Sequence, residues 1–234
     1  GFVDEGNVSG LQQGEFAPIL IYFTAAGGKG IRTMHLKHTQ CLAYSLDGGK
    51  TFQKYPGNPI VPNYDIGNRD PKVLYHEKTG KWLMIIYTDN EEKYLILTSD
   101  DLFHFTLASE YKWENGEHEC PNMFEVPVWG ENRKQMILSG VTGTYMAVDF
   151  DGRKVQPLTR PRTIHQGGSY QAMQIMPLPD GRLLSFYCYH YNRSKAGFSN
   201  CIGVPNELSL YHEGDDFILH TTPIRELEKL YVRR

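Results

Sequence analysis

Gln40-Cys41-Leu42-Ala43-Tyr44-Ser45-Leu46-Asp47-Gly48-Gly49-Lys50-Thr51-Phe52 reads as a short strand running into an acidic, glycine-rich turn. Asp followed by Gly-Gly between strand-like segments suggests a tight hairpin. The carboxylate can bond backbone amides two residues on, and glycine supplies positive φ. Upstream, Ala17-Pro18-Ile19-Leu20-Ile21-Tyr22-Phe23-Thr24 is a buried-strand run that stops at Ala26-Gly27-Gly28-Lys29-Gly30. Downstream the unit recurs. Lys81 to Tyr87 and Tyr94 to Ser99 are strands, the second leading into Asp100-Asp101-Leu102-Phe103. Gln135 to Gly140 pairs with Thr144 to Phe150, closed by Asp151-Gly152. Gly181 to Tyr187 precedes Glu207 to Tyr211, closed by Gly214-Asp215-Asp216-Phe217. A strand-plus-acidic-turn unit repeating every ~50–60 residues has the blade length of a β-propeller. The reading is all-β and propeller-like, with about four units and no sustained helical period before Pro223.

Composition fits that class and excludes others. In 234 residues, 40% are hydrophobic and 22% charged, ordinary for a globular chain that can bury one sizeable core. A net charge of −3 without basic runs argues against nucleic-acid and anionic-membrane partners. No apolar run approaches the ~20 residues of a transmembrane helix. Gly1-Phe2-Val3-Asp4 does not resemble a signal peptide, so the start reads as mid-domain or processed, and the compartment is left unassigned. Cys41, Cys120, Cys188 and Cys201 lack CxxC spacing. Four free, mostly buried thiols are favoured over two bridges. The histidines show no metal-ligand spacing, and the Gly27-Gly28-Lys29-Gly30 turn lacks P-loop spacing, so neither metal nor cofactor is expected. Asn7-Val8-Ser9 and Asn192-Arg193-Ser194 are chance-level acceptor triplets.

Two proline-braced acids stand out. In Asn68-Arg69-Asp70-Pro71, directly ahead of Lys72-Val73-Leu74-Tyr75-His76, the proline keeps Asp70 out of the helical region. The expectation is a carboxylate on stiff, extended backbone beside a permanent cation, Arg69. About fifty residues on, His118-Glu119-Cys120-Pro121-Asn122 leads into Met123-Phe124-Glu125-Val126. Two such acids at strand starts suggest a pair aimed at one site. The competing reading makes Asp70 a hairpin acid paired with Arg69, and Glu119 an exposed charge in the run from Glu114.

With these motifs and the repeat together, nearly the whole chain resembles glycoside hydrolase family 32, the invertase, levanase and fructanase group. Leu42 to Phe52 with Tyr55-x-Gly57-Asn58-Pro59-Ile60 resembles the family's "YS-DGG-tf-ky-gNP" segment. Glu119-Cys120-Pro121-Asn122-Met123-Phe124 resembles its "ECPdlF" motif. Tyr170-Gln171-Ala172-Met173-Gln174 stands where the family has a Tyr-Ala-x-Gln run, and Pro205 to Leu210 resembles "PRELsL". Ser45-x-Asp47-x-Gly49-x-Thr51-Phe52 also fits the Asp-box of sugar-processing propellers, with a plain hairpin as the favoured role. The resemblance implies a five-bladed propeller and a retaining double displacement on β-fructosides such as sucrose, inulin or levan. Glu119 would be the acid/base, Asp70 the transition-state stabiliser, and Arg69 the residue orienting both carboxylates. Asn68, Cys120, Tyr170 and Gln171 would contact substrate, with Cys120 a buried neighbour of the acid rather than a nucleophile.

Departures from the family are as informative. Its nucleophile lies in an N-terminal Trp-x-Asn-Asp-Pro segment that this sequence does not contain. His118 stands where a tryptophan is common, and Asn206 where an arginine is. The expectation is an incomplete five-bladed propeller over 1–222, without the N-terminal blade segment or a C-terminal β-sandwich. Residues 223–234 would be a linker with a short helix, Pro223 at its first position and Leu227 and Leu230 on one face. Little hydrolysis by this chain alone follows, together with possible homodimerisation through open strand edges. A catalytically inactive propeller binding carbohydrate or a protein partner is the second class considered. Tyr187, Tyr189 and Tyr191 alternate on one strand face, with packing favoured over sugar stacking.

Overall fold

The computed structural model describes residues 1–28, 30–114, 119–164, 170–189, 197 and 200–230. His118, Lys29, Tyr191 and the Asn192-Arg193-Ser194 triplet lie outside the described residues. The chain forms two compact units, Gly1–Pro121 with Phe150–Val155, and Asn122–Asp149 with Gln156–Arg234. Each carries two antiparallel sheets.

In the first unit, β1 (Phe2–Val3), β2 (Ile19–Ala25), β3 (Thr39–Ser45) and β4 (Gln53–Lys54) form one sheet in sequence order. The other is β5 (Arg69–His76), β6 (Lys81–Thr88), β7 (Lys93–Ser99) and β8 (Thr106–Lys112), again in order. Alternate residues supply the core: Leu20 and Tyr22, Met84 and Ile86, Leu95 and Leu97 pack in one cluster. Each such aliphatic side chain contributes ~1.5–3 kcal/mol by leaving water. In the second unit, β9 (Asn122–Pro127), β10 (Lys134–Ser139), β11 (Thr144–Phe150) and β12 (Val155–Pro157) make a sheet to which β13 (Arg162–Thr163) adds. The last sheet is β14 (Tyr170–Pro177), β15 (Leu183–Tyr189), β17 (Asn206–Glu213) and β18 (Asp216–Pro223), with β16 (Cys201–Ile202) on β15. Tyr187 is buried in this unit's core and Tyr189 packs against that cluster, so both rings serve packing. Among the described residues the architecture is all-β with four sheets, one per repeat. Among the described residues no helix is long and apolar enough to cross a membrane.

Three details differ from expectation. The Asp47 turn is not a tight hairpin: β3 ends at Ser45 and β4 begins at Gln53. Asp47 accepts from the Thr51 N–H at 2.9 Å and the Thr51 hydroxyl at 2.6 Å, four residues on rather than two. Ser45 Oγ accepts from the Gly49 N–H, so two side chains hold a wider loop. These bonds, Thr51's first, hold the Asp47 carboxyl well below the usual carboxylate range. Ser99 and Asp101 repeat the device, Asp101 accepting from the Phe103 and His104 amides. All four cysteines are free, but only Cys41 is buried. Cys188 pairs with Ile202 and Tyr189 with Cys201, which puts Cys188 and Cys201 on opposite sheet faces. Finally, the C-terminal helix is a 3₁₀ segment, Arg225–Leu230, starting after Pro223 has closed β18. It presents no buried apolar face, and Leu230 is 74% exposed. Ion pairs hold it instead: Arg182 bonds Glu226 at 2.6 Å, Asp180 at 2.7 Å and Glu207 at 2.5 Å.

Candidate active site

Asp70 sits on a β-bulge. Arg69 pairs with Tyr87 but Lys72 pairs with Ile85, so β5 spends one more residue than β6 over the same span. Asp70 takes a φ of +61°, which corrects the expectation of extended backbone. Proline disfavours only the right-handed helical region for the residue before it, and aspartate tolerates the left-handed one. The Asp70 N–H, freed from the ladder, donates to Thr24 Oγ1 at 3.1 Å. Bulges of this kind re-aim one side chain out of a strand. Glu119 and Cys120 are also left-handed, at φ +55° and +42°. Each such residue costs on the order of 1–2 kcal/mol, and strain of that size gathers at functional sites.

Arg69 joins the pieces. Its Nη2 and Nε donate to Glu119 Oε1 at 2.5 and 3.2 Å, and its Nε lies 3.9 Å from Asp70 Oδ2. Nη1 donates to Asp89 Oδ1 at 2.9 Å and to the Gly67 carbonyl at 2.8 Å. The guanidinium also lies over the Tyr87 ring, 4.7 Å from its centroid. Burial disfavours the Arg69 charge, but the hydrogen bonds to Glu119 and Asp89 outweigh it and raise its pKa. The Cys120 N–H closes the circuit on Asp70 Oδ2 at 3.1 Å. Both acids stay reachable, with side chains 34% and 43% exposed for Asp70 and Glu119. The Cys120 thiol is pushed up to about 12, first by burial and then by the Asp70 and Glu119 charges. A thiol that stays protonated is no nucleophile.

Arg69, Asp70, Glu119 and Cys120 are therefore brought together. Asn68 is fully buried, its Oδ1 accepting from Asn63 Nδ2 at 2.6 Å and its carbonyl from Gln40 Nε2 at 2.9 Å. It braces the loop ahead of β5. Tyr170 and Gln171 belong to β14 of the second unit, where Gln171 is exposed and begins another bulge, with Ala172 at φ +55°.

Asp89, Gly67 and Thr24 escape sequence reading. Asp89 lies two residues beyond Tyr87, the β6 partner of Arg69, so the strand register would have found it. Gly67, at φ +67°, has no room for a side chain: an added Cβ would stand 1.9 Å from Asp89 Oδ2. Gly67 also lines a cavity of about 410 Å³ with Leu36, His38, Tyr64, Asp65 and Ile66. The buried His38 Nδ1 has no hydrogen-bond partner. Among the described residues no cluster of three or more His, Cys, Asp or Glu could hold a metal.

A levanase of Bacillus subtilis (strain 168) is 32% identical over 255 residues, covering 97% of this chain and 36% of the levanase. An extracellular exo-inulinase of Meyerozyma guilliermondii is 33% identical over 189 residues, covering 74% of this chain and 35% of the inulinase. The chain thus spans about a third of the length of these relatives. Among solved structures, a β-fructofuranosidase of Schwanniomyces occidentalis complexed with fructosyl-erythritol shares the fold. Its TM-score is 0.79 at 24% identity, over 95% of this chain and 47% of that one. The family model for the glycosyl hydrolases family 32 N-terminal domain matches residues 2–223, so the chain belongs to glycosyl hydrolase family 32.

Proposed function

We propose that this chain supplies the acid/base and the transition-state stabiliser of a glycosidase acting on β-fructosides of the sucrose, inulin or levan type. The observation that carries the reading is the single Arg69 guanidinium reaching both Glu119 and Asp70 on left-handed backbone. Glu119 protonates the leaving oxygen and later activates water, and Asp70 accepts hydrogen bonds from the furanose hydroxyls as oxocarbenium character grows. Arg69 fixes both carboxylates, and Cys120 contributes its amide. The cavity beside Gly67 takes the leaving-group sugar. The four sheets are four blades of a five-bladed propeller. The double displacement needs a carboxylate nucleophile, which the family carries in a Trp-x-Asn-Asp-Pro segment absent from these 234 residues.

Incubation with sucrose, inulin and levan tests this reading. Residues 1–234 alone release no fructose. The same residues preceded by a Trp-x-Asn-Asp-Pro segment hydrolyse at least one of the three, and Glu119→Gln lowers kcat by ~10²–10⁴. Fructose release by residues 1–234 alone, or an undiminished Glu119→Gln variant, contradicts it. Pairing of two copies through strand edges is tested by light scattering, where a monodisperse monomer contradicts it.

A further inference from the structure

Trp129, two residues past the end of β9, is 69% exposed, yet it is held firmly. Its backbone N–H donates to the Leu210 carbonyl at 2.8 Å, beside a parallel bridge between Val128 and Leu210. One indole face stacks on Tyr211, centroids 5.7 Å apart and planes 29° from parallel. Tyr211 is backed in turn by His220 at 4.7 Å. The ring borders a cavity of about 340 Å³ whose lining includes Arg182, Glu207 and Ser209. Nothing in the chemistry of Glu119 and Asp70 uses this place. The six residues of β9 span about 20 Å, so Trp129 stands a strand's length from the Asn122 end.

We propose that Trp129, Tyr211 and this cavity form a second carbohydrate site that grips a sugar ring of a polymeric chain. A sugar ring offers C–H groups on its face and hydroxyls around its rim. Its complement is a flat, braced aromatic ring beside a few polar groups, which is what Trp129, Ser209 and the Arg182–Glu207 pair provide. A protein partner fits less well, since it needs a contiguous apolar patch of several hundred Å², and Trp129 runs into Gly130, Glu131, Asn132 and Arg133. The choice of fructan as the polymer rests on the fructosidase function proposed above; the ring-gripping site does not.

Intrinsic fluorescence reads this site directly. Trp113 is buried at 3% exposure, and Trp82 is partly buried and stacks on Phe2 at 4.7 Å, so Trp129 is the most exposed of the three tryptophans. Titration of residues 1–234 with inulin, levan and dextran is expected to give a saturable change with a fructan. That change persists in Asp70→Asn and is lost, or weakened at least tenfold, in Trp129→Ala, with Trp129→Phe intermediate. Because Trp129 is exposed, a thermal melt matching the parent verifies that Trp129→Ala folds. Loss of the signal in Asp70→Asn, or no saturable change with any polymer, overturns the site. Saturation by dextran but not by fructans supports the site and overturns its assignment to fructan.

Discussion

Arg69 and Glu119, fifty residues apart in sequence, meet at 2.5 Å, and the same guanidinium holds Asp89 from its other end. The arginine is thus a strut between three acids, its planar fork using Nε, Nη1 and Nη2. Lysine offers one point charge and cannot span them. Arg69→Lys should lower sugar affinity at least tenfold while costing only ~1–3 kcal/mol of stability, the range for losing charge-assisted hydrogen bonds in a part-exposed site. Calorimetric titration beside thermal melts separates the two effects.

Gly67 is the quiet partner of that strut. Gly67→Ala places a Cβ against the Asp89 carboxylate and strains a φ of +67°. It should destabilise by ~1–3 kcal/mol and weaken sugar binding, although Gly67 lies outside the acid pair. Gly130→Ala, with φ +76° and open space around it, controls for the backbone cost alone. Equal melting temperatures for the two variants would contradict the packing argument.

Acid should release the C-terminal 3₁₀ segment before it unfolds the sheets. Hydrogen bonds from Arg182 depress the Glu226 carboxyl from 4.5 to about 2. A depressed folded-state value stabilises above the unfolded value, and that stability is lost as pH falls from about 4.5 through about 2. Protection of the Arg225–Leu230 amides, measured against their intrinsic exchange rates, should fall in that window, and Glu226→Gln should show low protection throughout it. Flat protection in the parent across the window would contradict the ion-pair anchor.

Cys120 reports on Asp70. Burial and the Asp70 and Glu119 charges keep its thiol protonated at neutral pH, so alkylation followed by peptide mass mapping should find it slow. Asp70→Asn removes a charge that raises the thiol, so the Cys120 pKa should fall and alkylation accelerate. An unchanged rate would separate the two side chains.

Much of this was legible in the sequence because a strand followed by an acidic turn is local chemistry. Thr144 to Phe150 was read to the residue, and Gln135 to Gly140 paired with it as expected. Ser45 and Asp47 were visible as a turn, but loop width depends on where β4 rejoins β3, which is a long-range fact. Proline before a strand suggested straight backbone at Asp70, whereas the bulge follows from register against β6. Asp89 was hidden for the same reason. The apolar period at Leu227 and Leu230 misled because ion pairs to Arg182, invisible in the sequence, hold that segment. The family resemblance suggested a substrate contact for Asn68, but its side chain is buried and its Oδ1 accepts from Asn63 Nδ2.

The most direct test of the central claim is a fructose titration of residues 1–234 followed through the backbone amides of Asp70 and Cys120. The account predicts that both resonances move with one common Kd, and that Asp70→Asn or Arg69→Lys abolishes both shifts together. If only one amide responds, or the two report different affinities, Asp70 and Glu119 do not serve one furanose and the account fails.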